Sequence, residues 1–332
     1  MRAADRATGA RRPPDPTVSP AKPRRSERAE RTSARPERPP LPGLNPLLAE
    51  AALARFIQTQ VRQAGAGGVV VGLSGGIDSA VTAALCVSAL QPARVHGLHL
   101  PSPWSREEDR RDALEQAREL GIAVETVLLE RLRAAYVALE PEPGRLREGN
   151  FTARLRMALL YDRSARDGLL VAGSSNKTEA LLGYTTLWGD MAAAFSPLGD
   201  LYKTQVRILA EHLGVTRAIR EKPPSAGLWT GQTDEEELGA TYEELDRLLF
   251  HYVDLRHDLE ALVGAGFDEA FARRTIARVH ATEFKRRMPL IPKLSNRTIG
   301  HDWLVPRHWA APGSEPPPSG AGDPGSARDP AR

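Results

Sequence analysis

A chain of 332 residues, 41% of them hydrophobic, is long enough to bury a sizeable core, and its single cysteine, Cys86, excludes an internal disulfide and a thiolate-rich metal site. The net charge of +3 does not mark a nucleic-acid binder, because residues 1–40 hold 11 Lys and Arg against 5 Asp and Glu, which leaves −3 on the other 292. No run of about 18 apolar residues offers a membrane span and no signal-peptide core is present, so a soluble, cytoplasmic protein with no nucleic-acid or membrane partner is expected.

Residues 1–43, rich in Arg and Pro, lack the apolar side chains that would offset the entropy of ordering and are expected to be a disordered tail. Residues 309–332, rich in Pro, Gly and Ser, read the same way, leaving 44–308 as one domain. There, short apolar runs alternate with longer helical stretches, as in a doubly wound α/β domain with a parallel sheet covered on both faces. The continuous apolar run 68–73 predicts a strand buried on both faces, and 79–90 a nearly all-apolar helix. Strand 94–100, helix 105–120 closed by Gly121, and strand 122–129 follow. Asn150 is expected to cap a helix with Phe151, Leu155, Ala158 and Leu159 on one face, and 169–172 is a fourth strand. Open parallel sheets bind ligands at the carboxyl ends of their strands, so the junctions after Leu73 and Gly173 are the places for a site.

At the first junction stand Gly72, Leu73, Ser74, Gly75, Gly76, Ile77, Asp78 and Ser79. Adjacent glycines let backbone amides approach an anion, two serines add hydroxyls, and the following helix presents its positive end. This is a phosphate cradle, though neither a Walker A loop nor a dinucleotide fingerprint. A carboxylate inside it, Asp78, makes sense if magnesium sits between it and the phosphates; the plainer alternative is a helix cap. Elsewhere the plain readings win. Thr233 and Glu236 form a capping box, Asp234 and Glu235 belong to a mobile loop, Cys86 is a buried helix residue, and His96 and His99 face opposite sides of a strand.

The loop resembles the signature of the ATP pyrophosphatases, and further segments resemble NAD synthetase in order and spacing. They are Gly149-Asn150-Phe151-Thr152-Ala153-Arg154-Leu155-Arg156, Gly173-Ser174-Ser175-Asn176-Lys177-Thr178-Glu179, Gly199-Asp200-Leu201-Tyr202-Lys203-Thr204-Gln205-Val206, Glu221-Lys222-Pro223-Pro224-Ser225-Ala226, Gln232-Thr233-Asp234-Glu235 and Glu283-Phe284-Lys285-Arg286-Arg287. The resemblance implies a five-stranded sheet of the adenine nucleotide α-hydrolase type and a homodimer. It also implies amidation of deamido-NAD: the substrate carboxylate takes AMP from ATP, pyrophosphate leaves, and ammonia displaces AMP. By the same resemblance Gly72 to Ser79, Ser174, Lys203 and Ser225 hold ATP, Asp78 and Glu179 hold magnesium, and Arg154, Asp190 and Lys285 hold deamido-NAD. The resemblance also gives Asp78, Glu179 and Lys203 the catalytic roles. The plainer readings are solvated helix positions for Arg154 and Arg156, a helix first turn for Glu179 and a surface lysine for Lys203.

Three positions depart from the common ammonia-dependent pattern: Leu187 and Ala194 stand where a lysine and an aspartate are usual, and Gly227 follows Pro-Ser-Ala. The stretch Thr185-Thr186-Leu187-Trp188-Gly189-Asp190-Met191 instead resembles the synthetase domain of the glutamine-dependent branch, which acts on the same substrate. No amidase domain fits in the first 40 residues, so ammonia is expected to be free or delivered by a separate glutaminase. The rivals are another adenylating enzyme of the superfamily, GMP synthetase-like or tRNA-modifying, and a non-catalytic nucleotide-binding module. An acidic body with one cysteine argues against tRNA, and intact Asp78, Glu179 and Lys203 against decay.

Overall fold

The computed structural model describes residues 40–139, 142–229, 231–300 and 302. The expected tails, apart from residues 40–43, and the domain boundary at 308 lie outside the described residues. Helix α1 (Pro46–Gln63) leads into β1 (Gly68–Gly72), α2 (Ile77–Leu90), β2 (Val95–His99), α3 (Glu107–Leu120) and β3 (Ala123–Thr126). Then come α4 (Glu130–Leu139), the long α5 (Arg145–Asp167) and β4 (Leu169–Ala172). After β4 the chain is helical: α6 (Lys177–Leu182), α7 (Lys203–His212), α8 (Arg217–Glu221), α9 (Asp234–Leu238), α10 (Tyr242–Leu249), α11 (Leu259–Gly264) and α12 (Glu269–Ala281).

The four strands are all parallel, in the order β3-β2-β1-β4, which puts the most apolar strand in the middle. Val69 and Val71 face a core shared with Ile57 of α1, Val81 and Leu85 of α2 and Leu209 of α7; Val70 faces Leu98 and Val171, with Leu159 and Leu160 of α5 packed on them. Both faces are therefore covered, as the unbroken Val-Val-Val run requires.

The expected fifth strand is not formed among the described residues. Phe195 makes only an isolated parallel bridge with Ala172, supported by Ala194 N–H to Val171 O and Gly173 N–H to Phe195 O, each at 2.9 Å. Pro197 and the turn at Gly199 follow at once, so the ladder cannot extend. Asn150 caps nothing: α5 already begins at Arg145, and the Asn150 amide oxygen instead accepts from Thr186 Oγ1 at 2.9 Å. The second half of the chain builds a helical annex around Leu182, Tyr202, Leu245, Leu249 and Val279. No described helix is long and apolar enough to cross a membrane.

Candidate functional site

The carboxyl ends of β1, β2 and β4 open into a cleft of about 770 Å³. Its floor is the loop after β1. Ser79 Oγ donates to Gly76 O at 2.9 Å, so the hydrogen between it and Ser74 Oγ, 3.0 Å away, comes from Ser74, whose oxygen accepts from Gly76 N–H at 3.2 Å. Every residue from Gly72 to Ser79 lines the cleft except Gly75. Gly75 lies behind the loop with φ of +78°, and a Cβ on it would stand 2.1 Å from the Asp109 carbonyl of α3. Only glycine meets both conditions.

Above this loop sits an ion cluster that joins three distant segments. Lys203 Nζ lies 2.6 Å from Asp78 Oδ2 and 2.8 Å from Glu179 Oε1. Asp78 Oδ1 accepts from Asn176 Nδ2 at 2.9 Å, while Asn176 Oδ1 caps α6 by accepting from Glu179 N–H at 3.0 Å. The Lys203 backbone is fixed as well, its N–H donating to Thr178 Oγ1 at 3.0 Å, and Thr178 in turn donates to buried Asp246. The Lys203 side chain is 3% exposed, which removes the reading of a surface lysine. Burial alone would discharge it, but the Asp78 and Glu179 carboxylates outweigh burial and raise its pKa. One ammonium cannot compensate both carboxylates. Burial, against the pull of Lys203 and with the repulsion of Asp78, pushes Glu179 up to about 7.

The trio carries one net negative charge when all three groups are ionised. Among the described residues no three His, Cys, Asp or Glu side chains gather as a metal cage. The carboxylates of Asp78 and Glu179 do fit a hard divalent cation that would take its remaining ligands from phosphate oxygens and water.

Around this centre the structure brings Ser174, Ser225, Asp190 and Lys285 to the cleft wall. Lys285 Nζ donates to the carbonyls of Gly183 and Thr185 at 2.7 and 2.6 Å, and burial lowers its pKa. Asp190 accepts from Thr186 N–H at 2.7 Å and Thr185 Oγ1 at 2.8 Å. Arg154 is not brought in: it is exposed, its Nε donates to Leu187 O at 3.3 Å, and it does not line the cleft. Arg156, two residues on, lines the cleft and donates to Leu100 O at 3.2 Å, so it is not a solvated helix residue. Leu187 and Ala194, the two departures, both lie off the cleft lining, whereas Gly227 is on it.

Two readings from sequence fail here. Thr233 makes no side-chain cap, and its hydroxyl is buried without a partner among the described residues. Asp234 is no loop residue: it is 3% exposed, begins α9, and accepts from Ala226 N–H at 3.0 Å and Tyr242 OH at 3.1 Å. Asn176, Lys222 and Asp234 were missed as functional candidates, although each lies in a segment that already stood out by its spacing. His99 is buried, with Nδ1 2.9 Å from Leu73 O, and Cys86 is fully buried, its thiol pushed up to about 12.

The sequence model of the NAD synthase family matches residues 50–289. An NH(3)-dependent NAD(+) synthetase of Chlorobaculum tepidum is 48% identical over 262 residues, covering 79% of this chain and 95% of that protein. Its counterpart in Trichlorobacter lovleyi is 47% identical over 266 residues, 80% of this chain and 97% of that one. Among solved structures, an NMN synthetase from Francisella tularensis superposes with a TM-score of 0.68 at 35% identity, covering 76% of this chain and all of that one. An NH3-dependent NAD synthetase from Campylobacter jejuni does so with a TM-score of 0.65 at 32% identity over the same shares.

Proposed function

The chain belongs to the NAD synthase family, and from that premise we propose that its cleft joins ammonia to the nicotinate carboxylate of deamido-NAD, with ATP cleaved to AMP and pyrophosphate. One observation carries the reading: Lys203, Asp78 and Glu179 meet within hydrogen-bonding distance directly above the Ser74–Ser79 loop. A carboxylate is a poor acceptor for ammonia, so it must first become an acyl adenylate. The carboxylate oxygen attacks the α-phosphorus, the bond to the β-phosphate oxygen breaks, and pyrophosphate leaves. Ammonia then adds to the acyl carbon, AMP departs and a proton is lost.

In this reading Gly72, Leu73, Ser74, Gly76, Ile77, Asp78 and Ser79 hold the phosphates through backbone amides and hydroxyls, with Gly75 shaping the turn from behind. Ser174 and Ser225 complete the ATP site. Lys203, kept charged by its two carboxylates, is placed to meet negative charge that builds on the departing pyrophosphate. Asp78 and Glu179 would hold magnesium, which would neutralise phosphate charge when bound. Asp190 and Lys285 take deamido-NAD within the chain. Arg154, exposed and apart from the cleft of its own chain, supports the homodimer as part of the proposal, with a substrate contact made across two copies. We read the ammonia as free or handed over by a separate glutaminase, and the protein as cytoplasmic.

The test is incubation with ATP, magnesium, deamido-NAD and ammonium, followed by assay of NAD, AMP and pyrophosphate. Release of ADP in their place excludes the cleavage. A parallel reaction with the mononucleotide acid separates this reading from the activity named for the Francisella protein.

A further inference from the structure

Lys222 stands where α8 gives way to the segment that walls one side of the cleft. Its side chain is 12% exposed, and three groups of this chain surround its ammonium. Nζ donates to Asp109 Oδ1 at 2.9 Å and to the backbone carbonyl of Gly75 at 3.1 Å, and it forms an ion pair with Asp112 Oδ2. The two carboxylates belong to α3, where Arg106 also holds Asp109 in a fork at 3.0 and 3.1 Å and Arg111 reaches Asp112 at 3.2 Å. Burial works against ionised Asp109, but the bonds from Arg106 and Lys222 keep its pKa below the usual carboxylate range. Gly75 brings no charge to this cluster, so its bond to Lys222 acts as a mechanical link to the loop after β1.

Its consequence follows from peptide geometry. In a planar trans peptide the C=O and the next N–H point to opposite sides. Holding the Gly75 oxygen therefore turns the Gly76 N–H the opposite way, toward Ser74 Oγ. Gly75 cannot drift, since α3 packs so closely that even a Cβ would not fit. Lys222 lines the cleft together with Pro223, Pro224, Ser225 and Ala226, which follow it directly, so its ammonium joins floor to wall.

We propose that Lys222 is a positioning residue for the phosphate loop, setting the direction of the Gly76 amide through the Gly75 carbonyl and locking the 222–226 wall to it. The inference rests on the reading of this cleft as an ATP site. Calorimetric titration of the full-length protein with magnesium-ATP, with magnesium pyrophosphate and with AMP tests it. Lys222→Gln is expected to weaken ATP and pyrophosphate by about 10-fold or more while AMP changes by less than about 2-fold. Lys222→Arg recovers part of the loss. Asp112→Asn, which removes a buried partner of Lys222 without touching the loop, weakens pyrophosphate in the same direction, and its effect vanishes when Lys222→Gln is already present. Equal losses for AMP and pyrophosphate, unchanged pyrophosphate affinity, or additive effects of the two substitutions overturn the proposal. If Lys222→Gln does not fold, Lys222→Arg and Asp112→Asn decide by the same readout. The readout is binding, so a wild-type protein that grips pyrophosphate as described but makes no NAD would sink the activity reading and leave this one standing.

Discussion

Asp78 and Lys203 are 125 residues apart in sequence and 2.6 Å apart in space, and each is explained by the other. If the loop holds phosphates as proposed, a carboxylate inside it repels the ligand unless cations stand beside it; Lys203 is one and magnesium would be the second. Asp78→Ala is expected to lower turnover by roughly 10²- to 10³-fold, about 3 to 4 kcal/mol of barrier, measured as pyrophosphate release at saturating substrates. Lys203→Met leaves two half-buried carboxylates facing each other, and loss of one partner from such a cluster costs about 3 to 5 kcal/mol of stability. Denaturant melts should show that loss, and adding Asp78→Asn with Glu179→Gln should restore most of the stability and none of the turnover. A Lys203→Met protein as stable as wild type would mean that the carboxylates relax into water and that the cluster is not preorganised.

Elements matter here through the places where they touch. The loop after β1 is set by α3, whose Asp109 carbonyl fills the space a side chain at Gly75 would need. Gly75→Ala therefore has to move α3 or distort a backbone with positive φ, and it is expected to abolish ATP binding in whatever protein still folds, read by calorimetry. On the same face of the sheet as α3, Glu50 of α1 accepts from Ser88 Oγ of α2 at 2.6 Å and pairs with His212 Nε2 of α7 at 2.8 Å. The Ser88 bond first, then the His212 bond, lowers the Glu50 pKa against the effect of burial. A depressed carboxylate pKa stabilises the folded state fully above the ordinary value of 4.5, and that contribution is lost as pH falls through the lowered value. Glu50→Gln should thus melt below wild type at neutral pH, with the gap closing in acid; a gap independent of pH would rule out the ionised clasp.

At the scale of the whole molecule, the cleft draws its lining from residues 72 to 285, and the family match spans 50–289. A protein trimmed to residues 40–302 is accordingly expected to keep kcat/KM for ATP and deamido-NAD within about 2-fold, in line with changes far from a site; a larger loss would give the trimmed ends a part in catalysis. The sequence by itself determined the α/β class and the first strand with its glycine-serine loop, and it singled out Asp78 and, through the family resemblance, Glu179 and Lys203 as candidates. Those signals are local: an unbroken Val run, paired glycines and short motifs. Tertiary structure alone decided that the fifth strand shrinks to a bridge at Phe195, that Asn150 lies inside a helix, that Asp234 is buried and that Arg154 is exposed and does not line the cleft. It alone joined Asp78 to Lys203 and Gly75 to Lys222, because contacts between segments more than a hundred residues apart depend on how helices pack across the sheet, which no short window of sequence encodes.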